Sequence, residues 1–462
     1  MDKDRFKDFD EEERQLVLDF EDAMRRGGSC FFDVDELEVI IDYYFEVNDM
    51  PALERAVEYA EQLYPDSNEV RLRRAHVMIA HEDYEPALRI IKELRRQEPD
   101  NTDVAYSLGV VYGAMGEHEK AIQYYMETVA DGWMLGRVYA NIAEEYFFQH
   151  NFDEAIRYYL LALDTDSYDS STLYNYVDTA TQAGRLDEAV DYLKSFVEEH
   201  PYSAEGWHCL GTAYFNMGLC EKAVDAYEYS LAIDKNNANV YHDMADAQEV
   251  MGQMGEAITT LLRACDVEPN RAMIYQAVAD IYVRNGNNEM AMLYLRKAVD
   301  EDPDNACATA SLALIYALSG ENGQAVPLIR KALRMAPEDA RVLSIAGIIY
   351  DRMGNYDAAC EYFSRMVASD GCDEIMCQHY VEFLFNHGDY DLLIEFAEES
   401  LALYPGNPYY STYMAAACYY TNRYNRASRV LPHADPEMLL DICPDIANHP
   451  RLWPLVPKTN EK

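Results

Sequence analysis

Basic residues are scarce in this chain. Only 38 lysines and arginines stand against 83 aspartates and glutamates in 462 residues, a formal net charge of −45. That deficit excludes the cationic footprint that a nucleic-acid backbone or an anionic membrane surface requires. No apolar run approaches the roughly 18 residues needed to span a bilayer. Met1 to Glu13 is dominated by charge, with no apolar stretch behind a basic one, so no secretory leader is read and a cytoplasmic location is expected. The ten cysteines include no Cys-x-x-Cys pair. The two nearest, Cys372 and Cys377, lack a second pair at zinc-site spacing, and the ten, Cys30 among them, read as small apolar side chains in a reducing compartment. Phosphate-binding loops, nucleophile elbows and zinc-protease helices are all missing, which leaves no signature of catalysis.

What the sequence has instead is a period. Alanine recurs every 34 residues at positions 87, 121, 155, 189, 223, 257, 291, 325 and 359. Proline keeps the same register at 65, 99, 201, 269, 303, 337 and 405, with Trp133, Ser167, Lys235 and Gly371 at the intervening marks. Seventeen residues before the marks stand Gly116, Gly184, Gly218, Gly252, Gly286, Gly320, Gly354 and Gly388. Four positions before those glycines tyrosine recurs, and three further back a small residue, as in Tyr214 and Gly211. A fixed period of this length means a stack of identical supersecondary units. Each unit reads as two helices, the first ending at the glycine and the second opening at an acidic or small polar cap such as Asp153-Glu154, Asp187-Glu188 or Gly255-Glu256. Proline closes the second helix because the residue before it avoids the helical region.

The unit formed by Trp207, Leu210, Gly211, Tyr214, Ala223 and Tyr227 resembles the tetratricopeptide repeat (TPR), departing only where Lys235 replaces the final proline. The resemblance runs from near Val34 to near Leu431, as eleven full repeats and a shortened twelfth that keeps Ala427. It implies an all-α, right-handed α-solenoid of about twelve helix-turn-helix units. Three segments are expected. Residues 1–33 form an acidic amphipathic N-terminal helix or cap, 34–432 the repeat array, and 433–462 a proline-rich C-terminal cap and short tail. In the first, Phe6, Phe9, Leu16, Val17 and Phe20 mark one helical face, which either caps the first repeat or covers part of the groove. In the last, Leu439, Leu440, Ile442, Leu452, Trp453 and Leu455 fold back on the final helices, leaving Lys458 to Lys462 loose.

In proteins of this kind a stripe of the first helix, here 27, 23 and 20 residues before each mark, lines a concave groove that holds ligand peptides. Those positions give Asp42, Tyr106, Glu144, Phe147, Tyr174, Asp178, His208, Phe215, His242, Asp246 and Asp280 as the candidate peptide-binding face. None of the columns carries lysine or arginine. TPR co-chaperones that grip an acidic tail are expected to hold a cationic clamp there, so that activity does not carry over. A non-catalytic scaffold is expected, binding a Lys/Arg-containing peptide or protein with neither cofactor nor metal, nucleic acid nor membrane insertion. One alternative is a structural subunit that uses its convex face or its caps. A remote second is a metal-dependent enzyme built on His208 and His242, flanked by Asp178, Asp246 and Asp280. A basic cluster, Arg71, Arg73, Arg74, Arg89, Lys92, Arg95 and Arg96, reads either as charge balance for neighbouring glutamates or as a dock for the acidic N-terminal helix.

Overall fold

The computed structural model describes residues 11–25, 31–132, 134–165, 171–369 and 371–457. Phe6, Phe9, Cys30, Trp133, Ser167 and the tail from Lys458 lie outside them. Among the described residues there are helices and no strands. The chain divides into two compact units, Met1–Lys235 and Asn236–Lys462.

In the first unit α1 (Glu11–Arg25) precedes six hairpins. They are α2 (Val34–Glu46) with α3 (Met50–Leu63), α4 (Asn68–Ala80) with α5 (Tyr84–Gln97), α6 (Thr102–Ala114) with α7 (His118–Val129), α8 (Leu135–Phe148) with α9 (Phe152–Leu163), α10 (Ser171–Gln182) with α11 (Leu186–Glu199), and α12 (Ala204–Asn216) with α13 (Cys220–Ile233). The second unit repeats the plan with α14 (Ala238–Val250) and α15 (Met254–Ala264), α16 (Arg271–Arg284) and α17 (Asn288–Glu301), α18 (Ala306–Leu318) and α19 (Asn322–Met335), α20 (Ala340–Arg352) and α21 (Tyr356–Val367), α22 (Glu374–His387) and α23 (Tyr390–Leu403), and α24 (Pro408–Tyr420) and α25 (Tyr424–Val430), ending in α26 (Pro436–Ile442) and short 3-10 turns. Within each unit successive first helices touch, as α2 does α4, α10 does α12, and α18, α20, α22 and α24 do in turn.

The 34-residue marks explain this geometry. Every register alanine from Ala87 to Ala359, and Ala427 after them, is fully buried, so the helices of a hairpin approach closely there. At Gly211 and at Gly109 the approach leaves no room for a side chain, since a β-carbon would stand 2.5 Å from the Tyr227 and Tyr125 rings. The turn between the helices requires a left-handed residue, and Gly218 supplies it at φ +74° while the next amide, Leu219 N–H, returns to the Tyr214 carbonyl at 2.9 Å. The second-helix caps lie two residues earlier than Asp153, Asp187 and Gly255. Asn151 caps α9 through its side chain, and Arg185 and Gln253 start α11 and α15 without a side-chain cap bond. The acids instead occupy the first turn, where the helix dipole favours them.

At the start of the first unit Val17 and Phe20 of α1 are buried, with the Phe20 ring 5.6 Å from Phe32 and 5.7 Å from Tyr59. At the end of the second, Leu439, Ile446 and Leu452 are buried and Leu440, Trp453 and Leu455 are partly exposed. Thr412 of α24 accepts a hydrogen bond from the Asp435 amide at 2.8 Å, and the Tyr420 hydroxyl donates to the Ile442 carbonyl at 3.1 Å. No helix among the described residues is long and apolar enough to cross a membrane.

Candidate peptide-binding face

The three columns of the first helices do not share one environment. Members of the leading column sit at the seam between successive first helices. His208 is buried at 4 % exposure, and its Nδ1 lies 3.0 Å from the Tyr174 hydroxyl of the preceding repeat. In the second unit Gln276, Ala310 and Ser344 are buried at the same place. The placing of His208 on the peptide-binding face is therefore corrected: buried and held against the preceding first helix, its side chain is used in joining repeats. The middle column is the open one. Glu144 and Asp178 in the first unit, and Asp246 and Glu382 in the second, are exposed, whereas Asp42 and Asp280 are half-buried. Phe147, Phe215 and Phe385 line the trailing column half-buried.

Charge on this face is partly balanced from outside the columns. Arg73 of α4 donates to Asp42 at 3.0 Å and lies 3.9 Å from Glu38, while burial holds both carboxyls above their ordinary range against the pull of that guanidinium. In the second unit Arg284 grips Glu249 through Nε and Nη2, both at 2.6 Å. Burial raises the Asp280 carboxyl against the pull of the same guanidinium. Both arginines are one residue off the columns, and their long stems carry the charge across. Reading by column missed them; their signal is an arginine one step from a carboxylate in the adjacent repeat.

Aromatic anchors are engaged to different degrees. Tyr106 accepts a hydrogen bond from the Asn141 amide at 2.8 Å and has the Arg137 guanidinium 5.8 Å from its ring centroid. Phe147 packs 5.8 Å from Phe152, and its neighbour Phe148, which the columns omit, is 60 % exposed and stacked on His118 at 5.7 Å. His118 in turn meets buried Glu145 at 2.7 Å. Half-buried His76, in the middle column, lies 2.7 Å from the Ser107 hydroxyl, and burial pushes its imidazole down to about 3, so it stays neutral near pH 7.

Glu144 and Asp178 hold the same column position in adjacent repeats, and their polar partners are uncharged. Asn175 donates to Glu144 at 3.3 Å and Gln182 to Asp178 at 3.0 Å. The crowded surface and the adjacent Glu145 raise the Glu144 carboxyl. Burial raises the phenol of Tyr159, and both carboxylates add to that rise. Phe147 lies one turn beyond Glu144, and Tyr174 one turn before Asp178, so each acid shares its helix face with an aromatic ring. In the second unit Asp246 is raised by its surroundings and by Asp243 and Glu249, and half-buried His242 sits one turn before it.

Other sequence candidates resolve differently. The basic cluster of α4 and α5 is largely matched inside the first unit: Arg71 with Glu93 at 2.9 Å, Arg74 with Glu61 at 3.8 Å, Arg95 with Glu127 at 2.5 Å, and Lys92 5.3 Å from the Tyr112 ring. Among the described residues no group of three or more His, Cys, Asp or Glu is placed to hold a metal ion. His208 belongs to the first compact unit and His242 to the second.

Comparison with known proteins agrees with the repeat geometry. Family models for the tetratricopeptide repeat match residues 72–133, 141–204, 242–306, 282–345 and 340–370, together more than half of the chain. A TPR repeat-containing protein of Bacillus subtilis strain 168, YpiA, is 24 % identical over 186 residues, which cover 32 % of this chain and 44 % of that protein. The match thus spans less than half the length of that relative. A tetratricopeptide repeat protein from Parabacteroides merdae is similar at 17 % identity and a TM-score of 0.38, covering 54 % of this chain and 98 % of the other. The Cut9–Hcn1 hetero-tetramer of APC/C is similar at 15 % identity and a TM-score of 0.38, covering 88 % and 94 %. With its register alanines buried between paired helices, its register glycines in left-handed turns and its repeats matched by family models, the chain belongs to the tetratricopeptide repeat superfamily.

Proposed function

We propose that this chain is a non-catalytic protein-interaction scaffold whose first-helix face receives a segment containing lysine or arginine. The observation that carries the reading is the Glu144–Asp178 pair: two exposed carboxylates in register, hydrogen-bonded to neutral amides and sharing helix faces with Phe147 and Tyr174. An incoming ammonium or guanidinium satisfies both acids, and the rings contribute cation–π attraction and apolar contact. Elsewhere on the face the chain's own arginines occupy the equivalent role, as Arg73 does at Asp42 and Arg284 at Glu249. In the second unit Asp246 offers a further acidic contact beside Asp243 and Glu249.

The test is an immobilised peptide array in which lysine- or arginine-centred peptides are compared with their glutamine-substituted twins. Wild-type protein is expected to retain the basic set at low salt and release it as salt rises. The Asp178→Arg, Asp246→Arg double variant, with its helical circular dichroism unchanged, is expected to lose that set. Equal binding of the same peptides by both proteins would move recognition away from this face, to the opposite side or the terminal segments.

A further inference from the structure

Cys372 and Cys377 are the nearest cysteines in the sequence, and the fold brings their sulfurs to 3.3 Å. The reason is helix-capping geometry. Asp373 is the N-cap of α22, its carboxylate accepting the Met376 amide at 2.8 Å. Cys372 is therefore the residue before the cap and Cys377 the fourth of the helix, the two positions whose side chains meet in a hydrophobic staple. Both thiols are half-buried, so each is partly open to solvent. Tyr410 of α24 is fully buried with a hydroxyl that lacks a hydrogen-bond partner, and the Cys377 and Cys372 sulfurs are among the groups acting on it.

We propose that Cys372 and Cys377 are a modification site, closing to a reversible intrachain disulfide that covalently staples the start of α22. The sulfurs need approach by little more than an ångström to reach the bonded distance of about 2.05 Å, a shift within reach of side-chain rotation. With hydrogen peroxide as oxidant, one thiolate attacks a peroxide oxygen, giving a sulfenic acid and releasing the other oxygen as water. The second thiolate attacks the sulfenic sulfur and expels the hydroxyl, which leaves as water. Two thiols lose two electrons and two protons, and one peroxide becomes two waters. Burial and the neighbouring Asp373 hold both thiols above their ordinary range, Cys377 at about 12. At neutral pH the pair therefore reacts slowly, and the rate climbs as pH rises because only the thiolate attacks. The bond closes across the cap of a helix that touches both α20 and α24, so its effect falls within the row of first helices.

The experiment uses the full reduced chain, exposed in dilute solution to hydrogen peroxide near pH 8.5, alkylated and mapped by mass spectrometry. The expected product is monomeric, lacks two hydrogens, loses alkylation at Cys372 and Cys377 together, and regains it after dithiothreitol. Amide exchange through residues 373–380 is expected to slow in this form, and Cys372→Ser leaves Cys377 alkylatable with no internal link. The proposal is overturned if Cys372 and Cys377 remain alkylatable while Cys265, Cys307 or Cys360 is consumed. It is equally overturned if Cys377 links to another cysteine in the same yield.

Discussion

At the scale of single residues, the turn between paired helices is where this chain departs most from its own rule. Left-handed backbone recurs every 34 residues from Asn48 to Asn422, and glycine supplies it at eight of those places. At Asn48, Glu82, His150 and Asn422 a side chain is forced into it, with φ between 52° and 64°. For Asn the cost is eased by local hydrogen bonding, while Glu82 has no such relief and is exposed. Glu82→Gly should therefore stabilise the protein by about 1 kcal/mol, the αL strain removed less the entropy that glycine loses on folding. Urea unfolding of both proteins measures it directly. A midpoint unchanged or lowered would show the strain to be relieved by a contact of the Glu82 side chain. Eight of the twelve turns were legible from their glycines, while the four at Asn48, Glu82, His150 and Asn422 were not, because they lack the glycine that marks a left-handed turn in the sequence.

At the scale of helices, packing inside a hairpin is balanced by size across positions 16 apart. Gly109 meets Tyr125, Gly211 meets Tyr227 and Gly347 meets Phe363, each with a ring where a β-carbon would go. Where the first helix has Ala279 the second has Leu295, and where it has Val381 the second has Ala397, all fully buried. Gly211→Ala alone should cost about 1–3 kcal/mol, because the Tyr227 ring must leave its place. Adding Tyr227→Leu, which reproduces the Ala279–Leu295 combination, should return most of that loss. A double-mutant cycle on thermal or urea midpoints gives the coupling; simple additivity would mean the ring already has room to move. This layer was legible because small residues and a 34-residue period constrain backbones, which side-chain detail cannot alter. The candidate face was less so. Its columns were readable from helical spacing, but Arg73 and Arg284 reach it from positions off those columns, and His208 is buried by the neighbouring first helix. Neither the reach of a flexible stem nor the closeness of the next repeat follows from the period alone.

At the scale of the whole molecule the excess of acid bears on stability and, under the proposed function, on recognition as well. Many of the few cations are already used in pairs, such as Arg185 with Asp153 and Glu188, Arg423 with Asp391, and Arg365 with Glu338. Such exposed pairs contribute only about 0–1 kcal/mol each. The acids left over repel one another along a repeat stack whose stability is accumulated from neighbour to neighbour, so the cost is distributed through both compact units rather than concentrated at one site. Screening acts on both terms: it weakens the favourable pairs, but it relieves a larger sum of repulsions for a net charge of −45. The thermal midpoint should therefore rise as sodium chloride is raised from low to moderate concentration. Repeating the series with potassium chloride separates screening, which depends on ionic strength, from binding of one cation. A midpoint that falls instead would show that the ion pairs outweigh the self-repulsion. The same screening should release a bound basic segment, so added salt is expected to make the scaffold more stable and its acidic face less adhesive.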